Sequence, residues 1–142
     1  MVLYHLRTSW FSIAKFYNDM TEKYGGSISS AFVLMALYEE EGVPVTRIAP
    51  RIGMEPNSLS RVLKELERRR VIKRKRDKTD SRIVNIFLTD KGKELRKTAL
   101  KSVFHLEKLI TNDLSETQLK NFFEVVEQVP AALEKFQEEM DK

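Results

Sequence analysis

The side chains in this sequence best placed to do chemistry are cations. Arg61, Lys64, Arg68, Arg69, Arg70, Lys73, Arg74, Lys75, Arg76, Lys78 and Arg82 crowd one short stretch, opposed there by only Glu65, Glu67, Asp77 and Asp80. The last stretch of chain has the reverse balance, with Glu116, Glu124, Glu127, Glu134, Glu138, Glu139 and Asp141 against few lysines. The net charge of +4 over 142 residues therefore hides a strong asymmetry. A dense run of guanidinium and ammonium groups suits a polyanion, whose phosphates it neutralises with release of counterions. A solvated basic face is the plain alternative, and charge alone does not separate the two.

Other chemistries lack their reagents. There is no cysteine, which removes disulfides, thiolate nucleophiles, thiol redox sensing and every zinc site built on Cys. His5 and His105 are the two histidines, so a three-His metal site cannot form within one chain, and no metal is expected. Carboxylates abound but sit in charged helical stretches without His, Cys or a glycine-rich phosphate loop beside them. The chain reads as no enzyme, and no cofactor is implied. No apolar run approaches the roughly 20 residues that cross a bilayer. The first residues, Met1 to Arg7, lack the basic start and clean apolar stretch of a signal peptide. The expected location is cytoplasmic, with no membrane partner.

The elements that must position the cations follow from apolar spacing. Leu3, Leu6, Trp10, Ile13, Phe16 and Tyr17 predict a helix over 3–24, stopped by Gly25-Gly26. Val33, Leu34, Leu37 and Tyr38 predict a second from about Ser30 to Glu41, closed by Glu39, Glu40 and Glu41, with Gly42 as its stop and Pro44 beyond. A third, short helix starts at a Thr46 cap, faces Ile48, Ala49 and Ile52 inward and ends at Gly53; Pro50 should shorten or distort it. A fourth opens near Pro56, with Leu59, Val62, Leu63 and Leu66 as a single apolar stripe.

The period then changes. Val71–Arg76 and Arg82–Leu88 are β-prone runs around the polar tip Asp77-Lys78-Thr79-Asp80-Ser81, which predicts a hairpin with Val84, Ile86 and Leu88 on one face. Thr89 caps a helix to about Thr111, with Asp90 in its first turn. Ser115 opens a last helix carrying Leu119, Phe122, Phe123, Val126, Val129, Leu133 and Phe136, which Pro130 should kink or divide. The class is mainly α with a small β-hairpin. Helix, short helix, amphipathic helix and hairpin in this order make a winged helix-turn-helix, whose third helix can lie in a major groove about 12 Å wide. Placed on that frame, the basic run points to duplex DNA. Asn57, Ser58, Ser60 and Arg61 are the candidates for base edges, with Arg61 able to take a guanine through two hydrogen bonds. Lys64, Arg68, Lys73, Arg74 and Arg76 are candidates for phosphate, which fixes position and carries no sequence information.

The segment Asp80 to Gly92 resembles the signature of the MarR (multiple-antibiotic-resistance regulator) family: Asp-x-Arg, an alternating strand, then Leu-Thr-x-x-Gly. Ser58 to Ile72 resembles that family's recognition helix and its exit into the wing, and the likeness extends over nearly the whole chain. The resemblance implies a sequence-specific transcription regulator, commonly a repressor. Arg82 would enter the minor groove with Asp80 holding its fork; an ordinary exposed ion pair is the competing reading. Two positions depart from the family: Arg70 stands where glycine usually ends the recognition helix, and Pro50 is unusual in the supporting helix. A left-handed backbone at Arg70 would cost roughly 1 kcal/mol.

The first and last helices are too apolar for a lone wing domain and resemble the family's dimerisation module. Residues 1–142 then form one domain, with about 30–90 binding DNA and about 1–25 and 90–142 as flanking dimerisation helices. Leu3, Leu6, Trp10, Phe122, Phe123, Val126, Leu133 and Phe136 would fill the interface; core packing within the chain is the competing reading, and a mixture is expected, with some of these residues across the two-fold axis. A homodimer would present two reading helices about one DNA turn apart to a near-palindromic operator. The resemblance also implies a small lipophilic or aromatic effector, for which His5, Trp10, Phe11, Phe16, Tyr17 and Tyr38 are the lining candidates. For any one of them plain core packing is the weightier reading. The alternatives to a specific regulator are a non-specific architectural DNA-binding protein and a wing used only for protein contacts.

Overall fold

In the computed structural model, which describes residues 1–38 and 40–142, six helices and three short strands follow in the order α1 (Val2–Glu22), α2 (Ile28–Ala36), β1 (Val43–Pro44), α3 (Val45–Ile52), α4 (Pro56–Arg68), β2 (Ile72–Arg76), β3 (Val84–Leu88), α5 (Asp90–Thr111) and α6 (Glu116–Met140). The chain divides into two compact units, Met1–Lys101 and Ser102–Lys142. Among the described residues no helix is long and apolar enough to cross a membrane.

In the first unit, α1 ends where expected. Gly25 takes a φ of 69°, which lets the N–H of Gly26 reach the Thr21 carbonyl at 3.0 Å and that of Gly25 reach Glu22 at 2.8 Å. Ser27 then caps α2 reciprocally: its Oγ accepts from the Ser30 N–H at 3.2 Å, and its own N–H donates to Ser30 Oγ at 2.8 Å.

The expected helix over Ser30–Glu41 is corrected at both ends. It starts at Ile28 and stops at Ala36, and Leu37 is already extended. The reason is tertiary. Arg51 of α3 donates Nη1 to the Ala36 carbonyl at 2.8 Å, supplying the C-terminal partner from outside the helix. Glu40 lies beyond the helix and pairs with Lys93 at 2.8 Å, while the expectation for Glu39 lies outside the described residues. Gly42 is accordingly no helix stop. It leads into β1, and a Cβ there would stand 2.5 Å from the Phe87 ring.

The hairpin is present and gains a third strand. The antiparallel sheet runs β1-β3-β2, with Val43 opposite Ile86, Pro44 opposite Asn85, and Ile72 to Arg76 opposite Leu88 to Val84. Pro44 is tolerated because β1 is an edge. Since β1 runs directly into α3, Pro44 occupies the N-cap position with no side-chain cap, and Thr46 lies one step inside the first turn instead of capping it. The helix has eight residues, ends on Gly53 at φ 64°, and keeps Pro50 exposed.

The core of this unit joins Val33, Leu34 and Leu37 to Val43, Ile48, Leu59, Leu63, Leu66, Val71, Ile72, Ile86 and Leu88. It fastens α4 and the sheet to α2 and α3, so the basic elements stand on a packed base rather than on loops. In the second unit Ser115 and Gln118 cap α6 reciprocally, as the Ser115 start predicted. Pro130 does not divide this helix, which is continuous over 25 residues. One missing N–H among so many bonds is tolerated where the proline lies exposed.

Candidate nucleic-acid interface

Burial decides which face of α4 is free. Leu59, Leu63 and Leu66 are buried and Val62 is partly so. At 3.6 residues per turn the opposite face carries Asn57, Arg61, Lys64 and Arg68, all exposed. Ser60 and Glu67 flank this stripe on one side; the half-buried Ser58 and the exposed Glu65 flank it on the other. Glu65 holds Arg68 through two hydrogen bonds, from Nε to Oε2 at 2.9 Å and from Nη2 to Oε1 at 2.7 Å. That contact keeps the Glu65 carboxyl below its usual range. Glu67 turns to the sheet and accepts from Arg74 Nε at 3.0 Å.

The wing tip is built around two aspartates. Asp77 accepts from the Thr79 hydroxyl at 2.6 Å, from the backbone N–H groups of Thr79 and Asp80 at 2.9 and 3.1 Å, and from Asn85 at 3.1 Å. These donors, the Thr79 hydroxyl first, push its carboxyl down to about 2. Asp80 accepts the Arg82 Nε at 3.0 Å and Nη2 at 2.9 Å, and also the Arg82 backbone N–H at 3.0 Å. Arg82 therefore holds Asp80 below the ordinary carboxylate range, and Asp80 raises Arg82 in return. The arginine side chain is 89% exposed, so its fork is fixed in direction yet open to a partner.

Between α4 and β2 the chain turns through Arg70 at φ 57°, the one non-glycine residue with positive φ among those described. The turn closes as a glycine would close it: Arg70 N–H donates to Glu67 at 2.9 Å and Val71 N–H to Leu66 at 2.9 Å. The carbonyls it exposes are taken by the start of α5. Lys91 Nζ reaches the Arg69 carbonyl at 3.1 Å, and Thr89 Oγ1 reaches those of Arg70 and Val71 at 2.7 and 3.0 Å. Thr89 Oγ1 also accepts from the Gly92 N–H at 3.1 Å, which makes it the cap that the sequence predicted. Arg69 donates Nη2 to the Tyr24 carbonyl, tying the end of α4 to the turn after α1.

The other anticipated cations divide by strand period. Arg74 and Arg76 stand opposite Ile86 and Val84, on the sheet face that also buries Ile72 and Leu88. Lys73 stands opposite Phe87, on the other face, together with Lys75, whose ammonium lies 5.4 Å from the Phe87 ring centre. Sequence reasoning did not single out Glu65, Glu67, Asp77, Thr89 or Lys91 as partners. The spacing of Glu65 and Arg68 and that of Asp77, Thr79 and Asp80 are local signals that could have found those contacts; the others join separate elements.

The six side chains named for an effector do not converge within this unit. On α1, Trp10 and Tyr17 share one side, His5 and Phe16 lie about a third of a turn away and Phe11 about a third of a turn the other way, with the Phe16 ring edge-on to Tyr17 at 5.3 Å. Tyr17 is buried, Trp10 stacks on Phe32 at 6.2 Å, and Tyr38 engages Arg51 at 3.0 Å. A hollow of about 410 Å³ is lined by Phe32, Met35, Ala36, Arg51 and Ile52 instead. The residues named for dimerisation are largely exposed in the single chain. Leu3 and Trp10 are so on α1, and Phe122, Phe123, Leu133 and Phe136 on α6, while Leu6 and Val126 are half-buried.

Comparison with known proteins agrees with this frame. The family described as "Transcriptional regulator SarA/Rot" matches residues 15–99. The HTH-type transcriptional regulator SarZ of Staphylococcus epidermidis is 29% identical over 125 residues, covering 81% of this chain and 84% of its own. The regulator TtmR of Methylorubrum extorquens is 45% identical over 64 residues, 45% of this chain, and the match spans only 33% of TtmR. Among solved structures, Staphylococcus aureus MepR in complex with DNA superimposes with a TM-score of 0.83 at 21% identity, covering 94% of this chain and 98% of MepR, a likeness of fold. The match over 15–99 takes in α2 to β3 with the wing signature, and the chain belongs to the SarA/Rot family of transcriptional regulators, built on the MarR-type winged helix.

Proposed function

We propose that this transcription regulator binds duplex DNA sequence-specifically as a homodimer, and represses by occupying its operator against polymerase. The observation that carries the reading is the single exposed face made by Asn57, Arg61, Lys64 and Arg68 on α4, beside a wing whose Arg82 is held by Asp80. A helix with one buried stripe and one polar basic face fits a major groove, and a fixed guanidinium suits the narrower, more negative minor groove. Ser58 and Ser60 flank the reading face as base-edge candidates; Arg74, Arg76 and Lys73 supply phosphate contacts. The DNA-bound form of MepR supports the same use of the fold.

Residues of about 30–90 form the DNA-binding part, and about 1–25 and 90–142 the helical dimerisation part. Helix α6 buries no residue in the single chain although it carries Phe122, Phe123, Leu133 and Phe136. Exposed aromatic rows of that kind mark an interaction surface, and a second copy of the chain supplies a matching one. A small lipophilic or aromatic effector would act by favouring one spacing of the two reading helices over another. The regulator works in the cytoplasm, where its DNA is.

The test is selection from a randomised duplex library at moderate salt, with sedimentation equilibrium of the free protein. Enrichment of a near-palindrome with half-sites about one DNA turn apart, bound by two chains, is the expected result. Retention without enrichment would replace this reading with a non-specific architectural protein. A folded monomer that retains no DNA would overturn it.

A further inference from the structure

Arg68 and Arg82 are held in the same way. Arg82 gives Nε and Nη2 to Asp80 at 3.0 and 2.9 Å; Arg68 gives Nε and Nη2 to Glu65 at 2.9 and 2.7 Å. In each case a carboxylate takes one edge of the planar guanidinium. The pair occupies two of its five N–H donors and leaves the end with Nη1 and the second Nη2 hydrogen free, in a direction the carboxylate sets. The Arg68 side chain is 72% exposed and closes the outward stripe of α4 after Asn57, Arg61 and Lys64.

We propose that Arg68, with its fork set by Glu65, reads a guanine in the major groove and so determines specificity. The inference rests on the sequence-specific duplex binding proposed above, and it moves Arg68 from the phosphate contacts to the base contacts. Guanine presents O6 and N7 side by side on its major-groove edge, and two parallel N–H donors match that pair. A phosphate also accepts two parallel N–H donors but carries no base identity, so a fixed fork yields specificity only at a base edge. Glu65 would then only weaken the contact, because it brings a like charge towards the DNA. A carboxylate beside a DNA-facing arginine lowers affinity for every sequence, a cost that orientation towards one base offsets. Glu65 is a positioning residue in this scheme: it acts through Arg68.

The experiment runs the randomised duplex selection in parallel on the wild-type chain, Arg68→Lys and Glu65→Gln. A salt titration of affinity on the wild-type motif goes with it. Both positions are exposed, and circular dichroism checks that the variants fold. Lysine keeps the charge and loses the fork. The R68K variant should lose a preference for guanine at one position of each half-site by about 5- to 150-fold, with the other positions and the salt slope unchanged. E65Q should weaken the same preference while binding scrambled duplex more tightly. An R68K motif equal to wild type at every position overturns the proposal. So does E65Q tightening all sequences alike, which would leave Glu65 as a mere mask on a phosphate contact. A wild-type chain that enriches no motif overturns the specific-binding function itself, and this inference with it.

Discussion

Replacing Arg70 by glycine isolates the one strained backbone position of the interface. Arg70 sits at φ 57° because two constraints meet there: α4 must end after Arg69, and Val71 must turn back to bury beneath Leu66. An L-residue in the left-handed region costs about 1–2 kcal/mol, which glycine does not incur. Against this, glycine gives the unfolded chain more freedom, worth about 0.5–1 kcal/mol. The net expectation for Arg70→Gly is a gain of about 0.5–1 kcal/mol, or an increase in Tm of about 1–4 °C for a chain of this size. Arg70 is exposed, so the side chain itself contributes little to folding. Arg70→Ala removes the side chain but keeps the Cβ, and should stay within about 0.5 kcal/mol of the wild type. The assay is urea unfolding of the three proteins at one fixed concentration. Equal stability of the glycine and alanine variants would refute the reasoning, because the strain that glycine relieves is expected to exceed the freedom it adds to the unfolded chain.

Other outcomes follow from the same packing. Gly92→Ala places a Cβ 2.1 Å from the Val71 carbonyl oxygen, so the start of α5 must move off the exit of α4. The expected loss is about 1–3 kcal/mol in urea unfolding, and a neutral result would show that the joint is loose. Leu63→Ala empties a fully buried position between α4 and the core, with an expected cost of about 2–5 kcal/mol by the same measurement; a cost below 1 would mean that the site collapses freely. The Asp77 carboxyl is depressed from 3.8 to about 2, so its contribution to wing order is fully present above pH 3.8 and is lost as the pH falls through 2. A carbon-detected NMR titration should find its midpoint well below those of exposed carboxylates. A midpoint near 4 would show that the Thr79, Asp80 and Asn85 donors do not hold it in solution.

Legibility tracked the range of the interaction. The stripe Leu59, Val62, Leu63, Leu66 announced α4 because a helix on a core repeats its apolar residues at that spacing. The caps at Thr89 and Ser115 were readable for the same local reason, as were the stops at Gly25 and Gly53. Asp80 and Arg82 were readable as a pair because two residues of one turn can meet without help from elsewhere. The end of α2 was not readable. Its apolar pattern runs on to Tyr38, and Arg51 stops it from another helix. Strand β1 was missed because two residues, one of them proline, carry no period; the pairing with Asn85 and Ile86 makes them a strand.

The sequence by itself determined the order of the six helices and the wing hairpin, the apolar face of each long helix and the basic run at 61–82, since all of these depend on neighbours within a few residues. Tertiary structure alone decided that Glu67 holds Arg74 and what clamps the exit of α4. Those outcomes depend on Glu67 meeting Arg74, and on Thr89 and Lys91 meeting the carbonyls of Arg69 to Val71. Such groups lie far apart along the chain or on different elements, and only a common core brings them within hydrogen-bond reach.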